Sequence, residues 1–453
     1  MATRTKTPFQ SPIDAEIVSK RIQALGLESI GQASIRELVK LVNDIEHQTG
    51  ETYVRMEMGV PGLPAPEVGI NAEIEALKAG VAAKYPMLDG LPILKREIAN
   101  FCKNFMDIDV KPESCLATVG SMQGAMATFM VANRTYKNRS GTLFIDPGFP
   151  VQKKQLQVLG QRYGSFDVYN HRGAKLRNAL EGHLKEGNYS SILYSNPNNP
   201  SWICFTDEEL RIVAELADKY DVIVIEDLAY FGMDFRQNYG QPGQPPYQPT
   251  VAKYTDNYVF LISSSKAFSY AGQRIGSLVI SDHLFNREFA DLEPWYNSRQ
   301  YGYASVFGAL YALSSGVSHS AQYGLAAMLK AANEGQLNFV EDVSVYGARA
   351  KRMKQLFIQN GFHIVYDKDD TMPLADGFYF TFSYPGMTGK ELVENLIYFG
   401  ISAIALETTG SERTEGLRAC VSQVSDSQFV DLETRLQNFN AQFAQHHVET
   451  AAI

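Results

Sequence analysis

Along much of this chain, short unbroken apolar runs alternate with segments whose apolar residues recur every three or four positions. Runs of the first kind predict strands buried on both faces, and segments of the second kind predict amphipathic helices. Residues 1–15 are polar and predict an arm. Ile35, Leu38, Leu41, Val42 and Ile45 predict a helix that closes at Gly50. Residues 54–58 alternate like a short strand and lead into Gly59-Val60-Pro61-Gly62-Leu63-Pro64-Ala65-Pro66, which holds too much proline for regular structure. Helices are expected at 71–84 and 92–105, with a turn over 85–90. Strands are expected at 116–119, 142–145, 191–194, 222–225, 258–262 and 277–280. Gly120 opens one of the intervening helices, running to about 136. Thr206 and Glu209 have capping-box spacing at the head of another, running to 220. Residues 237–249 read as a surface loop, and helices are expected from 280 to about 333. The rhythm then changes to a long helix at 339–360, a strand at 378–382, a helix at 392–398, strands at 401–405 and 417–421, and a helix at 429–443. This order predicts an α/β protein whose large domain, 60–325, has a mostly parallel central sheet flanked by helices. A smaller α+β domain would be built from both chain ends, 1–59 and 326–453.

Composition narrows the function. The chain has 453 residues, 45% hydrophobic and 20% charged, with a net charge of −9. No basic surface for nucleic acid is advertised. No run of roughly 18 uncharged apolar residues exists, so no membrane span is expected. The 4 cysteines, Cys102, Cys115, Cys204 and Cys420, lack metal-ligand spacing, so no metal site is expected, and they suit reduced thiols. Residues 1–14 contain no apolar signal-peptide core, and a cytoplasmic location is expected.

Candidate chemistry gathers where the expected strands end. Ser263-Ser264-Ser265-Lys266 follows the run at 258–262, with Arg274 soon after. Ligands of open α/β sheets bind beyond the carboxyl ends of strands. A lysine desolvated there, near another cation, can lose its proton and act as a nucleophilic amine. Gly120-Ser121-Met122-Gln123 lies at a helix N-terminus, where free N–H groups attract phosphate. Phe149, after Asp146-Pro147-Gly148, could stack on a flat ring, and Asn199 and Tyr230 could donate to a phenolate-type oxygen. Asp227 ends the β-branched run at 222–225, where a buried carboxylate needs a cation.

In order and spacing, Asn196-Pro197-Asn198-Asn199-Pro200, Glu226-Asp227-Leu228-Ala229-Tyr230 and Ser263-Ser264-Ser265-Lys266 with Arg274 resemble the class I/II aminotransferases. These are fold-type I enzymes that use pyridoxal 5′-phosphate (PLP). Gly59-Val60-Pro61, Tyr85, Gly90 and Gly416-Leu417-Arg418 extend the resemblance over about residues 50–425. It implies the PLP-dependent transferase fold, in a homodimer with active sites at the subunit interface. It further implies that Lys266 forms the Schiff base (the internal aldimine) and shuttles the proton of the 1,3-shift. Asp227 would hold the ring nitrogen protonated, and Tyr230 and Asn199 would hold the ring oxygen. Phe149 would stack on the ring. Ser121, Met122, Ser263, Ser265 and Arg274 would bind the phosphate, with Tyr85 reaching in from a second subunit. Arg418 would bind the substrate carboxylate, under the Gly59 backbone.

Two positions depart from the pattern. Ser201-Trp202 stands where the family has Thr-Gly, and a tryptophan lacks glycine's backbone freedom, so a reshaped loop is expected. Arg299 lies near where some members place an arginine for a second substrate carboxylate. The expected activity is transfer of an amino group between an L-amino acid and a 2-oxo acid. The alternatives are a PLP lyase or decarboxylase on the same scaffold, and a non-catalytic PLP-binding regulator.

Overall fold

The apolar runs become the interior strands of one large sheet. A computed structural model describes residues 12–26 and 30–444. Strand β1 (Val54–Arg55) precedes the sheet, which contains β2 (Cys115–Thr118), β3 (Gly141–Asp146), β4 (Arg162–Asp167), β5 (Tyr189–Ser195), β6 (Ile223–Leu228), β7 (Tyr258–Ser263) and β8 (Gly276–Ile280). Their order is β2-β8-β7-β6-β5-β3-β4. Only β8 runs against its neighbours, pairing antiparallel with both β2 and β7. Residues along every strand but the edge strand β4 alternate between two cores. In β7, Tyr258, Phe260 and Ile262 enter one core, while Val259 and Leu261 enter the other. A strand covered on both faces has no polar face to show, which is why the sequence reads as unbroken apolar runs.

The second sheet lies in the C-terminal part. It joins β9 (His363–Ile364), β12 (Tyr379–Ser383), β14 (Ile404–Ala405) and β15 (Leu417–Cys420) in the order β14-β15-β12-β9. Between β9 and β12, β10 (Lys368–Asp369) and β11 (Met372–Pro373) form a small hairpin. The strand expected at 401–405 is divided: β13 (Ile401–Ser402) pairs with β1, and β14 pairs with β15. The pairing of β1 with β13 ties the segment leading to Gly59 to the C-terminal part.

Most helices lie where the periodicity places them. The Ser34 and Thr206 capping boxes form, and Gly50 closes the helix Ile35–Thr49 in a left-handed conformation. Phe429–Phe443 is helical as expected. The long helix expected at 339–360 is broken into Phe339–Asp342 and Val345–Gln359 at Val343 and Ser344. The arm expected at 1–15 falls largely outside the described residues, and a helix, Ala15–Ala24, begins after an Asp14 cap. Strand β4 and the helix Lys175–Leu184 were not legible; β4 is an edge strand whose first residues are largely solvent-facing and lack a clear apolar alternation. The boundary expected at 325 falls inside the helix His319–Asn333, which packs along Glu67–Lys78 and Pro92–Met106.

Candidate functional site

Five strand ends meet at one edge of the large sheet. Strands β2, β3, β5, β6 and β7 all run toward it. Because β8 is reversed, its first residue lies at the same edge: Gly276 pairs with Thr118 on one side and Ser263 on the other. Arg274, just before β8, therefore sits beside the start of the helix Gly120–Ala132. Gly120 takes a left-handed backbone (φ 65°) that favours glycine, and a Cβ there would come within 2.7 Å of Arg274 Nη2. Arg274 is exposed and adopts a left-handed backbone (φ 51°). Ser263 Oγ accepts from the Ser265 N–H at 3.2 Å, while Ser264 turns away to Ile275. Free helix N–H groups, two serine hydroxyls and a guanidinium make a cup suited to a phosphate.

Lys266 leaves the end of β7. Its Nζ donates to the Gly59 carbonyl and lies 5.5 Å from the Phe378 ring centroid. Burial pushes its pKa down to about 8, and Arg418 and Arg274 push the same way, against Cys420. Part of the side chain still meets solvent. An amine near neutrality at a strand end can serve as nucleophile and then as base.

Asp227 lies on the adjacent strand β6, buried. Its Oδ2 accepts from Gln152 Nε2 at 2.8 Å and its Oδ1 from the Ala229 N–H at 3.1 Å. Neither partner is charged, and burial pushes the carboxyl up to about 6. A buried acid held by two neutral donors gains most from a cation, and a protonated ring nitrogen is one.

Asn199 is set by its own turn. Its N–H donates to Ser195 Oγ, and Asn198 Nδ2 donates to the Pro147 carbonyl, drawing the turn toward Phe149. Phe149 caps the helix Pro150–Val158, and Gln155 of that helix reaches the Met122 carbonyl at 2.8 Å. Asn199 Oδ1 in turn accepts from Arg418 Nη1 at 3.3 Å. Arg418, on β15, is 2% exposed and donates from Nη2 to the Glu57 carbonyl at 2.6 Å. Its buried Nε has no partner. A buried guanidinium N–H without a partner leaves a donor that a carboxylate could satisfy.

The structure therefore brings Lys266, Asp227, Tyr230, Asn199, Phe149, Ser121, Met122, Ser263, Ser265, Arg274, Gly59 and Arg418 to one region. It does not bring Arg299 there. The Arg299 carbonyl accepts from Phe289, close to Arg287, which pairs with Asp221 at the amino end of β6. That end is opposite to Asp227, so Arg299 cannot reach the site of its own chain. Tyr85 is 89% exposed, beside residues 314–320.

Trp202 corrects the expectation for its loop. It takes a left-handed backbone (φ 66°) despite its side chain and is fully buried. Its indole presents edges to Tyr230 at 5.4 Å and Tyr379 at 6.1 Å. A Cβ on Gly377 would overlap the indole. Burying this ring offsets a left-handed cost of about 1–2 kcal/mol. Sequence reasoning also missed Gln152 and Tyr379. Gln152 shows no signal beyond its place in the helical turn after Phe149, and Tyr379 sits in an aromatic strand that reads as plain core.

The family model described as aminotransferase class I and II matches residues 52–435. A probable aspartate aminotransferase of Methanocaldococcus jannaschii is 24% identical over 377 residues, spanning 82% of this chain and 88% of that protein. Human kynurenine–oxoglutarate transaminase 1 is 25% identical over 282 residues, 59% of this chain and 63% of that one. Among solved structures, an alanine aminotransferase from Pyrococcus furiosus superposes with a TM-score of 0.73 at 17% identity, covering 93% of this chain and 99% of that one. None of these similarities points to a lyase, a decarboxylase or a regulator. A phosphate cup, a lysine of lowered pKa and a buried acid awaiting a cation are what PLP requires, and the chain belongs to the class I and II aminotransferases, the PLP-dependent enzymes of fold type I that move an amino group between amino acids and 2-oxo acids.

Proposed function

We propose that the residues gathered at the sheet edge are those that carry the amino transfer, each in a stated role. PLP supplies an aldehyde and an electron-withdrawing ring when bound. Arg274, Ser263, Ser265 and the N–H groups of Ser121 and Met122 hold its phosphate. Phe149 covers the ring, Tyr230 and Asn199 donate to the ring oxygen, and Asp227 holds the proton on the ring nitrogen. Lys266 Nζ is the attacking amine and then the base that moves the substrate's proton. Arg418, through its unpartnered Nε, fixes the α-carboxylate, and the Gly59 backbone closes over it. The observation that carries this reading is the pairing of a lowered amine just beyond β7 with a buried carboxylate on β6 whose hydrogen-bond partners are both neutral.

The test is a half-reaction. The PLP-loaded protein mixed with one amino acid should release its 2-oxo acid stoichiometrically, and a 2-oxo acid should restore the starting absorbance. Release of CO2 or an eliminated fragment without this reversible exchange would reject transfer. Arg418→Lys keeps the charge but loses the planar fork. It should lower kcat/KM for amino acids about ten- to a hundredfold, as for a lost hydrogen bond to a charged group. Simple amines without a carboxylate should be affected far less, and an equal loss on both would remove Arg418 from carboxylate recognition.

The working unit is proposed to be a cytoplasmic homodimer. Leu77 and Tyr85 are exposed beside residues 314–320, and Tyr303, Phe307 and Tyr311 expose further apolar surface. A second copy would cover such surface and bring its Tyr85 to the phosphate. Sedimentation at the mass of one chain would exclude that role for Tyr85. Among the described residues, no helix is long and apolar enough to cross a membrane.

A further inference from the structure

Tyr379 belongs to none of the motifs that mark the site, yet it joins two of the site's functional groups. Its Oη lies 2.8 Å from Tyr230 Oη, and either could be the donor. Its ring lies under Arg418, with the guanidinium carbon 4.5 Å from the ring centroid. Its hydroxyl also abuts Gly59, where a Cβ would overlap it. The contact with Arg418 is a diagonal one between neighbouring strands, since Tyr379 pairs with Cys420 and Thr381 with Arg418. Trp202 backs both phenols, and both are buried.

The direction of that single hydrogen bond decides what Tyr230 can do. If Tyr230 donates to Tyr379, its proton is already engaged. If Tyr379 donates, Tyr230 keeps a free proton for an outside acceptor. We propose that Tyr379 is a positioning residue that donates its proton to Tyr230 Oη and so turns the Tyr230 hydroxyl toward the ring oxygen of PLP. The proposal rests on the reading of Tyr230 as the partner of that oxygen. Consecutive hydrogen bonds polarise one another, so the relay stabilises negative charge on the ring oxygen more than Tyr230 alone would. The charged and titratable groups facing the pair are Arg418, over the Tyr379 ring, Cys420, across the strand pair, and Lys266, held on the Gly59 carbonyl.

The test is an absorbance titration of the PLP-loaded enzyme against pH. Tyr379→Phe keeps the ring under Arg418 and against Trp202 and removes only the donor. Less stabilised negative charge means that the bound cofactor gives up its proton at higher pH. The deprotonation constant should fall about three- to tenfold, the worth of one hydrogen bond. KM for the amino acid should stay within about twofold, whereas Tyr379→Leu, which also removes the ring from beneath Arg418, should raise it further. Tyr230→Phe, run in parallel, should shift the titration at least as far. If Tyr230→Phe shifts the titration and Tyr379→Phe superimposes on the unaltered enzyme, the relay is overturned while the role of Tyr230 survives. If neither shifts it, the ring-oxygen reading falls and takes the relay with it. Matching thermal midpoints for Tyr379→Phe and the unaltered enzyme would establish that a shifted titration is not a folding defect.

Discussion

Lys266→Ala should give a protein that folds, fails to retain PLP through gel filtration, and turns over at least about four orders of magnitude more slowly. Two functions vanish together in this variant. The amine that would attach the cofactor covalently is gone, and so is the base that moves the substrate's proton, a role worth about 10²–10⁴-fold by itself. The fold should tolerate the change, because Lys266 Nζ is held by a single backbone acceptor, the Gly59 carbonyl. Removing an amine that burial already drives toward neutrality leaves no stranded charge. Matching thermal midpoints for the two apoproteins would establish that the loss is chemical. A variant that kept its visible absorbance after gel filtration, or kept more than a hundredth of the activity, would dismiss Lys266 as the attacking amine.

Asp227→Asn is the second test, and it separates chemistry from stability. In the PLP-loaded enzyme the neutral amide cannot hold the ring nitrogen protonated, and kcat should fall on the order of 10²–10³-fold, the cost of losing one member of a buried ion pair. In the apoprotein the sign reverses. The carboxyl is raised to about 6 by burial, against 3.8 when unperturbed. A raised acid contributes its stability below the unfolded value and loses it as pH rises through the folded one. The empty protein above pH 6 therefore buries an uncompensated charge, a cost of roughly 3 kcal/mol. Apo Asp227→Asn should be more stable than the apo parent at pH 8 by about that amount, and the difference should shrink toward zero near pH 4. PLP should reverse the order at pH 8. Equal denaturant midpoints for the two apoproteins at pH 8 would mean that Asp227 already has a compensating partner, and normal kcat would remove its catalytic role.

These effects depend on groups that the sequence places with different clarity. The alternation of apolar runs with amphipathic segments determined the large sheet, its helical cover and the strand ends near which Asp227, Ser263 and Lys266 lie, because a strand buried on both faces is largely apolar and its polar residues gather toward its ends. Capping signals at Thr206 and Gly50 fixed helix ends for equally local reasons. Partnership across the chain was not legible. The reversal of β8 brings Arg274 beside the helix start at Gly120, and the break between β13 and β14 sends adjacent residues to different sheets. Arg299 lies away from the Asp227 site of its own chain because nearby Arg287 is anchored to Asp221 at the opposite end of β6. Trp202 shows the same limit. Glycine's absence announced strain, but only the space left by Gly377 and the rings of Tyr230 and Tyr379 explains why the left-handed turn survives. Local patterns record what each segment must bury, whereas Gln152 against Asp227 and Tyr379 against Tyr230 are pairings of residues 75 and 149 positions apart, set by packing in three dimensions.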